Sequence, residues 1–290
     1  MNIAFGMIVF NGNYVLDACL ETIYPYASQI VVTEGPVGYF VQKGFTESTD
    51  GTVETIRDFP DPDGKIQMIH GPWSEKDEMC RAYGALIRPD ADFVFHVDSD
   101  EVHYPETIEK VIEVLETGRW DSISFRSWAF FGGFDRIFGE GSFEQGFEFH
   151  RVQRWYPGAN WQTHRPPTVL SSGPEHRPWR EHDHLAFFAG MPHYSYVWPS
   201  QVKAKTEYYR ESVAPGRCIP GYFEQVYLPW VRGSDAERRA IEDRWNGCHD
   251  FLPETRGPCR TGPFDRPHPP AIEKRLPQLR RKLEAELADH

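Results

Sequence analysis

The order of apolar runs predicts an α/β protein, an open mixed sheet flanked by helices. Three observations carry this. Strand-like and helix-like runs alternate through residues 2–128. The runs at 2–10 and 93–97 are almost continuously apolar, with β-branched and aromatic members, which is the pattern of strands buried on both faces. Turn residues separate the runs, as in Asn11-Gly12-Asn13 and Pro60-Asp61-Pro62-Asp63-Gly64.

The elements follow in order. Residues 2–10 form the first strand. Tyr14, Val15, Ala18, Cys19 and Ile23 have helical spacing over 14–24, and Pro25 stops that helix. Residues 30–33 form a second strand ending at Glu34. Thr49 or Asp50 caps a helix over 52–59, and a third strand covers 65–70. A helix over 75–86 leads to the strand at 93–97. Pro105 opens a helix to residue 115, and 122–128 is a further strand. Beyond 128, Gly, aromatic and charged residues mix with little periodicity. Residues 150–155 read as an edge strand and 161–192 as loop. Helices are expected over 202–210, 236–245 and 272–289. The result is a single domain with a loop-rich acceptor lobe and C-terminal helices, divided as residues 1–128, 129–235 and 236–290.

Composition narrows the function. The chain has 290 residues, 40% hydrophobic and 14% aromatic, enough to bury a large core. A net charge of -12 disfavours nucleic acid as a partner, though a local basic groove is compatible with it. The run at 3–10 is too short to span a bilayer and lacks the marks of a leader. The five cysteines, Cys19, Cys80, Cys218, Cys248 and Cys259, form no disulfide framework, so free thiols in a cytoplasmic setting are expected. Cys218, Cys248-His249 and Cys259 match no compact zinc knuckle. The charged C-terminal helix offers a packed flank or a partner surface, which leaves a homodimer open.

The chemistry concentrates at Asp98-Ser99-Asp100. The pair follows a buried strand, at the edge where open α/β sheets bind ligands. Residues i and i+2 of an extended chain point the same way, so both carboxylates can reach one cation. Oxygen ligands suit Mg²⁺ or Mn²⁺. Glu101 adds a third carboxylate, and like charges so crowded call for a compensating cation. The bland reading is a solvated acidic turn.

These residues resemble, in order, the motifs of the GT-A glycosyltransferase superfamily, most closely its family 2-like bacterial and viral branch. The strand ending at Phe10-Asn11 resembles the opening nucleotide-binding strand. Val31-Val32-Thr33-Glu34 resembles the second, with Glu34 where the family usually has an Asp facing the base. Ser48-Thr49-Asp50-Gly51-Thr52 resembles the stretch opening the next helix, and Lys76 and Arg81 stand where basic or polar residues approach the donor. Phe95-His96-Val97-Asp98-Ser99-Asp100-Glu101 resembles the metal segment. His193-Tyr194-Ser195-Tyr196, before Lys203 and Lys205, resembles the closing His motif. The resemblance implies a metal-dependent glycosyltransferase of the GT-A fold, moving sugar from a nucleoside-diphosphate sugar to a carbohydrate or other hydroxyl acceptor, with inversion. Phe10, Glu34, Asp50, Lys76, Arg81, Asp98 and Ser99 would meet the donor. Asp98, Asp100 and His193 would hold Mn²⁺ or Mg²⁺.

An inverting transferase needs a base on the acceptor side. Relatives place an acidic residue after a segment like Trp161-Gln162-Thr163-His164, but here Arg165 stands there, and a guanidinium cannot accept a proton. Asp183, Glu181 and Glu148 are the candidates, with Glu144 behind them; the bland reading of 181–184 is a polar surface loop. Trp128, Phe131 and Trp155 are candidates for stacking on the acceptor, and core burial is the more ordinary fate of each. Three other functions compete, transfer of sugar onto modified DNA among them, against which the acidic balance argues mildly. A nucleotidyltransferase would show a basic, Gly-rich loop after the first strand, which Asn11-Gly12-Asn13 is not. A non-catalytic nucleotide- or glycan-binding protein would explain the missing base.

Overall fold

The computed structural model describes residues 1–140, 149–164, 167–170, 178–180, 190–245 and 260–290. In chain order the strands are β1 (Ile3–Val9), β2 (Gln29–Glu34), β3 (Ile66–His70), β4 (Phe93–Asp98), β5 (Ser122–Phe125), β6 (Ser127–Phe131), β7 (Arg136–Glu140), β8 (Phe149–Arg154), β9 (Asn160–His164), β10 (Pro167–Leu170), β11 (Pro178–Arg180), β12 (Met191–Tyr196) and β13 (Arg260–Pro263). The helices are α1 (Leu16–Ile23), α2 (Gly38–Gln42), α3 (Thr52–Arg57), α4 (Lys76–Gly84), α5 (Pro105–Glu116), α6 (Pro199–Tyr208), α7 (Leu228–Arg232), α8 (Asp235–Arg244), α9 (Pro270–Glu273) and α10 (Leu276–Ala288). Two compact units result: Met1–Arg126 with Glu148–Met191, and Ser127–Phe147 with Pro192–His290.

The first unit is built on a seven-stranded mixed sheet in the order β11-β5-β8-β4-β1-β2-β3. β1 pairs in parallel with β2 and β4, and β2 with β3. β8 runs antiparallel between β4 and β5. Period-2 alternation sends Phe5, Phe95 and Phe125 to one face, where their rings lie 5.0 Å and 5.7 Å apart in succession. It sends Ala4, Val31 and Val94 to the other face, against Cys80 and Tyr83 of α4 and Trp155 and Trp161. Helix α4 packs so closely that a Cβ on Gly6 would lie 2.3 Å from the Tyr83 ring. That position on β1 therefore has to be glycine.

The second unit holds a four-stranded sheet, β12-β6-β7-β13, and helices α6 to α10. Its core gathers Phe131, Tyr196, Val202, Tyr227 and Trp230. Ser234 caps α8 by exchanging hydrogen bonds with Glu237, a capping box. No helix among the described residues is long and apolar enough to cross a membrane.

The α/β class and the open mixed sheet flanked by helices are as expected. Three local readings change. The run at 122–128 is two strands that part at Arg126 into different sheets, a break that a continuous apolar stretch conceals. The strand at 150–155 lies inside the sheet, not at its edge. Its Arg151 is buried, and a buried cation reads as an edge charge when its partners lie far away in sequence. Part of the expected loop at 161–192 is strand: β9 pairs with β10, and β11 lies at the sheet edge beside β5. Prolines open both β10 and β11, positions where a missing N–H costs little.

Candidate active site

The site is built where the parallel strands of the first unit end. β4 finishes at Asp98, just past the buried Val97. Asp98 Oδ2 accepts a hydrogen bond from Arg151 Nη2 at 2.7 Å, and Oδ1 lies 3.4 Å from His96 Nε2. The same Arg151 nitrogen donates to Glu101 Oε1, and Glu101 Oε2 accepts the Asp98 backbone N–H at 3.2 Å. Behind this pair, Tyr83 Oη sits 2.7 Å from His96 Nδ1. Burial opposes the charge on Arg151, but Glu101 and Asp98 outweigh it and hold its pKa above the ordinary range. The compensating cation that the carboxylate crowding called for is thus in part the protein's own.

Against this turn lies the loop after β1. A Cβ on Gly12 would stand 2.4 Å from Ser99 Oγ, so glycine alone lets the two segments meet. Asn11 adopts φ +48, a conformation that asparagine tolerates better than most residues. The loop is tied to residues 48–52 by a ladder of hydrogen bonds. The N–H groups of Asn11, Gly12 and Asn13 donate to Ser48 Oγ, Thr52 Oγ1 and Asp50 Oδ2, at 2.8 Å, 3.0 Å and 2.9 Å. Asn11 Oδ1 accepts from the Thr49 N–H at 2.8 Å. Asp50 Oδ1 accepts from Thr52 Oγ1 at 2.6 Å and from its N–H at 3.1 Å. Gly51, at φ 88, is the residue before α3 and stands where Thr49 or Asp50 was expected to cap.

Glu34 anchors the same loop from below. It is buried at the end of β2. Its Oε1 accepts the Ser48 N–H at 2.8 Å, Oε2 lies 3.0 Å from His70 Nδ1, and its carbonyl accepts from Trp73 Nε1 at 2.9 Å. Glu34 and Asp50 therefore spend their oxygens on holding the loop, a role that sequence spacing does not distinguish from ligand contact. Phe10 packs with Phe40 and Phe45, ring centres 4.8 Å and 5.5 Å away. Lys76 begins α4, and Arg81 Nη2 donates to Glu75 Oε1 at 3.2 Å.

The structure thus brings Phe10, Glu34, Asp50, Asp98 and Ser99 to one edge of one unit. His193 lies in the second unit on β12, its Nδ1 3.5 Å from Ser127 Oγ. Among the described residues, no three His, Cys, Asp or Glu side chains gather as a metal-ligand set. Asp183, Glu181 and Glu148 lie outside the described residues, as do Glu144, Arg165, Cys248, His249 and Cys259. Trp128, Phe131 and Trp155 are buried: Trp128 packs on Phe264, Phe131 on Trp230 and Trp155 on Trp161, so they build cores.

The sequence places Arg151 in an edge strand, without naming it as a site residue, and gives Asp77 no role. The surplus of three carboxylates at 98–101 was the available signal for Arg151. For Asp77, which holds His164, sequence offered no signal.

Residues 46–164, the segment that holds Asp77, the 98–101 turn, Arg151 and His164, match the family model for glycosyl transferase family 2. No curated protein matches it. Among solved structures, the chain overlaps S. aureus TarS at 14% identity over 44% of its own length and 22% of TarS, with a TM-score of 0.35. A TarS 1–349 structure in complex with UDP overlaps at 10% identity over 100% of this chain and 88% of that one, TM-score 0.44. Glucosyl-3-phosphoglycerate synthase from Mycobacterium tuberculosis, in complex with Mn²⁺, UDP and glucosyl-3-phosphoglycerate, overlaps at 16% identity over 45% of each chain, TM-score 0.33. The chain spans under half the length of the first TarS structure and of the synthase.

Proposed function

We propose that the chain transfers a sugar from a nucleoside-diphosphate sugar to a hydroxyl acceptor with inversion, using a divalent cation at the Asp98-Ser99-Asp100 turn. The observation that carries this reading is the convergence of that turn with the 11–13 and 48–52 loops at the C-terminal edge of a parallel sheet. Such an edge is where open α/β sheets take nucleotides.

The residues fit a cation held mainly by its substrate. Mg²⁺ and Mn²⁺ at phosphates often use one or two carboxylates and complete their shells with phosphate and water oxygens. A three-ligand cage is not required. Asp98 is fixed by Arg151, and Asp100, two residues on, is the second carboxylate of the turn. A divalent ion held there would supply charge to offset that on the diphosphate leaving group. The chain's own part is orientation: Arg151 fixes the turn, and Glu34 and Asp50 fix the loop that faces it. His193 as a further ligand follows from the family resemblance alone. The buried free thiols of Cys19 and Cys80 suit a cytoplasmic setting.

The same loop weighs against a nucleotidyltransferase. The N–H groups of Asn11, Gly12 and Asn13 donate inward to Ser48, Thr52 and Asp50. They do not form an open cradle for a triphosphate. A thermal-shift screen with Mn²⁺ and uridine, guanosine and cytidine diphosphate sugars tests the proposal. One donor class should stabilise the protein in a metal-dependent way, and Asp100→Ala should lose the metal-dependent part. An unchanged shift in that variant removes the cation from the turn; no shift with any donor removes the function.

A further inference from the structure

Outside the 98–101 cluster, one pair of side chains on the ligand edge has the build of a proton acceptor. Helix α4 follows β3, a strand parallel to β4, so its first turn lies at the edge where Asp98 lies. β9 runs back along α4. At one end Asn160 meets Gly84, where an added Cβ would lie 2.4 Å from Asn160 Oδ1. At the other end His164 meets Asp77: its Nδ1 lies 2.5 Å from Asp77 Oδ1, and its backbone N–H donates to the same oxygen at 2.8 Å. Thr163 Oγ1 approaches that oxygen at 3.5 Å. Both side chains are about one-fifth exposed, His164 21% and Asp77 23%, so the pair opens on solvent, unlike the buried Glu101–Arg151 pair.

We propose that His164, oriented by Asp77, is the general base that deprotonates the acceptor hydroxyl. A carboxylate accepts only from a protonated Nδ1, which leaves the lone pair of the neutral ring on Nε2. In the step, Nε2 takes the hydroxyl proton while the hydroxyl oxygen bonds to the anomeric carbon. The bond from that carbon to the diphosphate oxygen breaks, and its electron pair leaves with the diphosphate. The imidazolium, stabilised by Asp77, then releases its proton to solvent. Burial pushes the Asp77 carboxyl up, but the two N–H donors of His164 and the charge of Arg81 bring it down, so Asp77 stays ionised. Arg81 bears on Asp77 from the same helix, where Lys76 and Glu78 flank Asp77 in sequence, and β10, paired with β9, carries no titratable side chain. This assignment rests on the transferase reading, and it supplies the base that Arg165 cannot be. A purely structural role, clamping β9 to α4, is the competing account.

The test uses water as acceptor: UDP release from UDP-glucose and UDP-N-acetylglucosamine with Mn²⁺, beside donor binding, for wild type, His164→Gln and Asp77→Asn. Glutamine keeps a hydrogen bond to Asp77 but accepts no proton. His164→Gln should lose at least about 100-fold in rate with donor affinity unchanged. The wild-type rate should fall with acidity, and Asp77→Asn, lacking the carboxylate charge, should move that fall to lower pH. An undiminished rate in His164→Gln overturns the assignment, as does a loss that leaves the pH profile in place. Nitrogen NMR of the ring, assigned by difference with His164→Gln, gives a reading independent of turnover: Nδ1 should be protonated and Nε2 bare at about pH 8, and a protonated Nε2 overturns the assignment. If wild type binds no nucleotide sugar, the transferase reading fails first; donor binding with an indifferent His164 sinks this inference alone.

Discussion

The two units bury polar side chains to different ends. In the first, buried charges crowd near the ends of parallel strands: Glu34, Glu101 and Arg151, with His96 behind Asp98. In the second, they brace aromatic rings. Glu242 Oε1 accepts from Trp230 Nε1 at 3.0 Å and from Thr261 Oγ1 at 2.6 Å. His268 Nδ1 sits 2.8 Å from Tyr194 Oη, among Phe130 and Phe264. Buried polarity is therefore no mark of a site by itself. Opposed charges held together at a strand end, beside a part-exposed carboxylate, are such a mark, because they are costly for stability and gain meaning only from a ligand.

The comparison makes graded predictions. The largest effect should come from Arg151→Met. It strands Asp98 and the buried Glu101, and removing one partner of a buried ion pair costs about 3–5 kcal/mol. Denaturant unfolding of the variant checks this, and a loss no greater than that of an exposed pair would break the contrast. Glu242→Ala should cost less, about 1–3 kcal/mol for donors left unmet, and should change Trp230 fluorescence without altering donor binding. The smallest effect at neutral pH concerns two buried histidines. Burial, then Arg151, pushes His103 down to about 3, and neither ring nitrogen has a hydrogen-bond partner. Its folded pKa lies below its unfolded value, so the unfolded chain binds more protons between them. Stability from this group is present above about pH 6.5 and falls as pH drops, by about 1.4 kcal/mol per pH unit within the window. His103→Leu should remove that slope, measured as denaturation midpoint against pH. His268, also pushed down by burial but bonded to Tyr194, should contribute a shallower one.

Much of the first unit could be read in advance, because its strands are continuous apolar runs and its helices have periodic faces. The carboxylate turn was legible for the same reason: Asp98 follows the run at 93–97. What sequence did not reveal was the partner of each charge. Arg151 sits 53 positions from Asp98 and His164 sits 87 from Asp77, and local patterning carries no information over such spans. Glu34 and Asp50 were found as residues but not as loop anchors, since a carboxylate that holds a backbone N–H and one that holds a ligand look alike in a string. The aromatic residues of 128–161 drew attention as sugar contacts because density of rings is visible, while the core that absorbs them is not.

The antiparallel β8, lodged between β4 and β5, has a consequence for how the chain comes into being. During synthesis both flanking strands emerge first, and the sheet they belong to stays split until residue 154 has left the ribosome. Through that interval Asp98 and Glu101 exist without their arginine. The ligand edge is thus among the last parts of the first unit to close, and a nascent chain stalled before β8 would present the half-sheet β4-β1-β2-β3 with an unpaired edge and β5 with no neighbour in that sheet, the kind of surface that chaperones recognise.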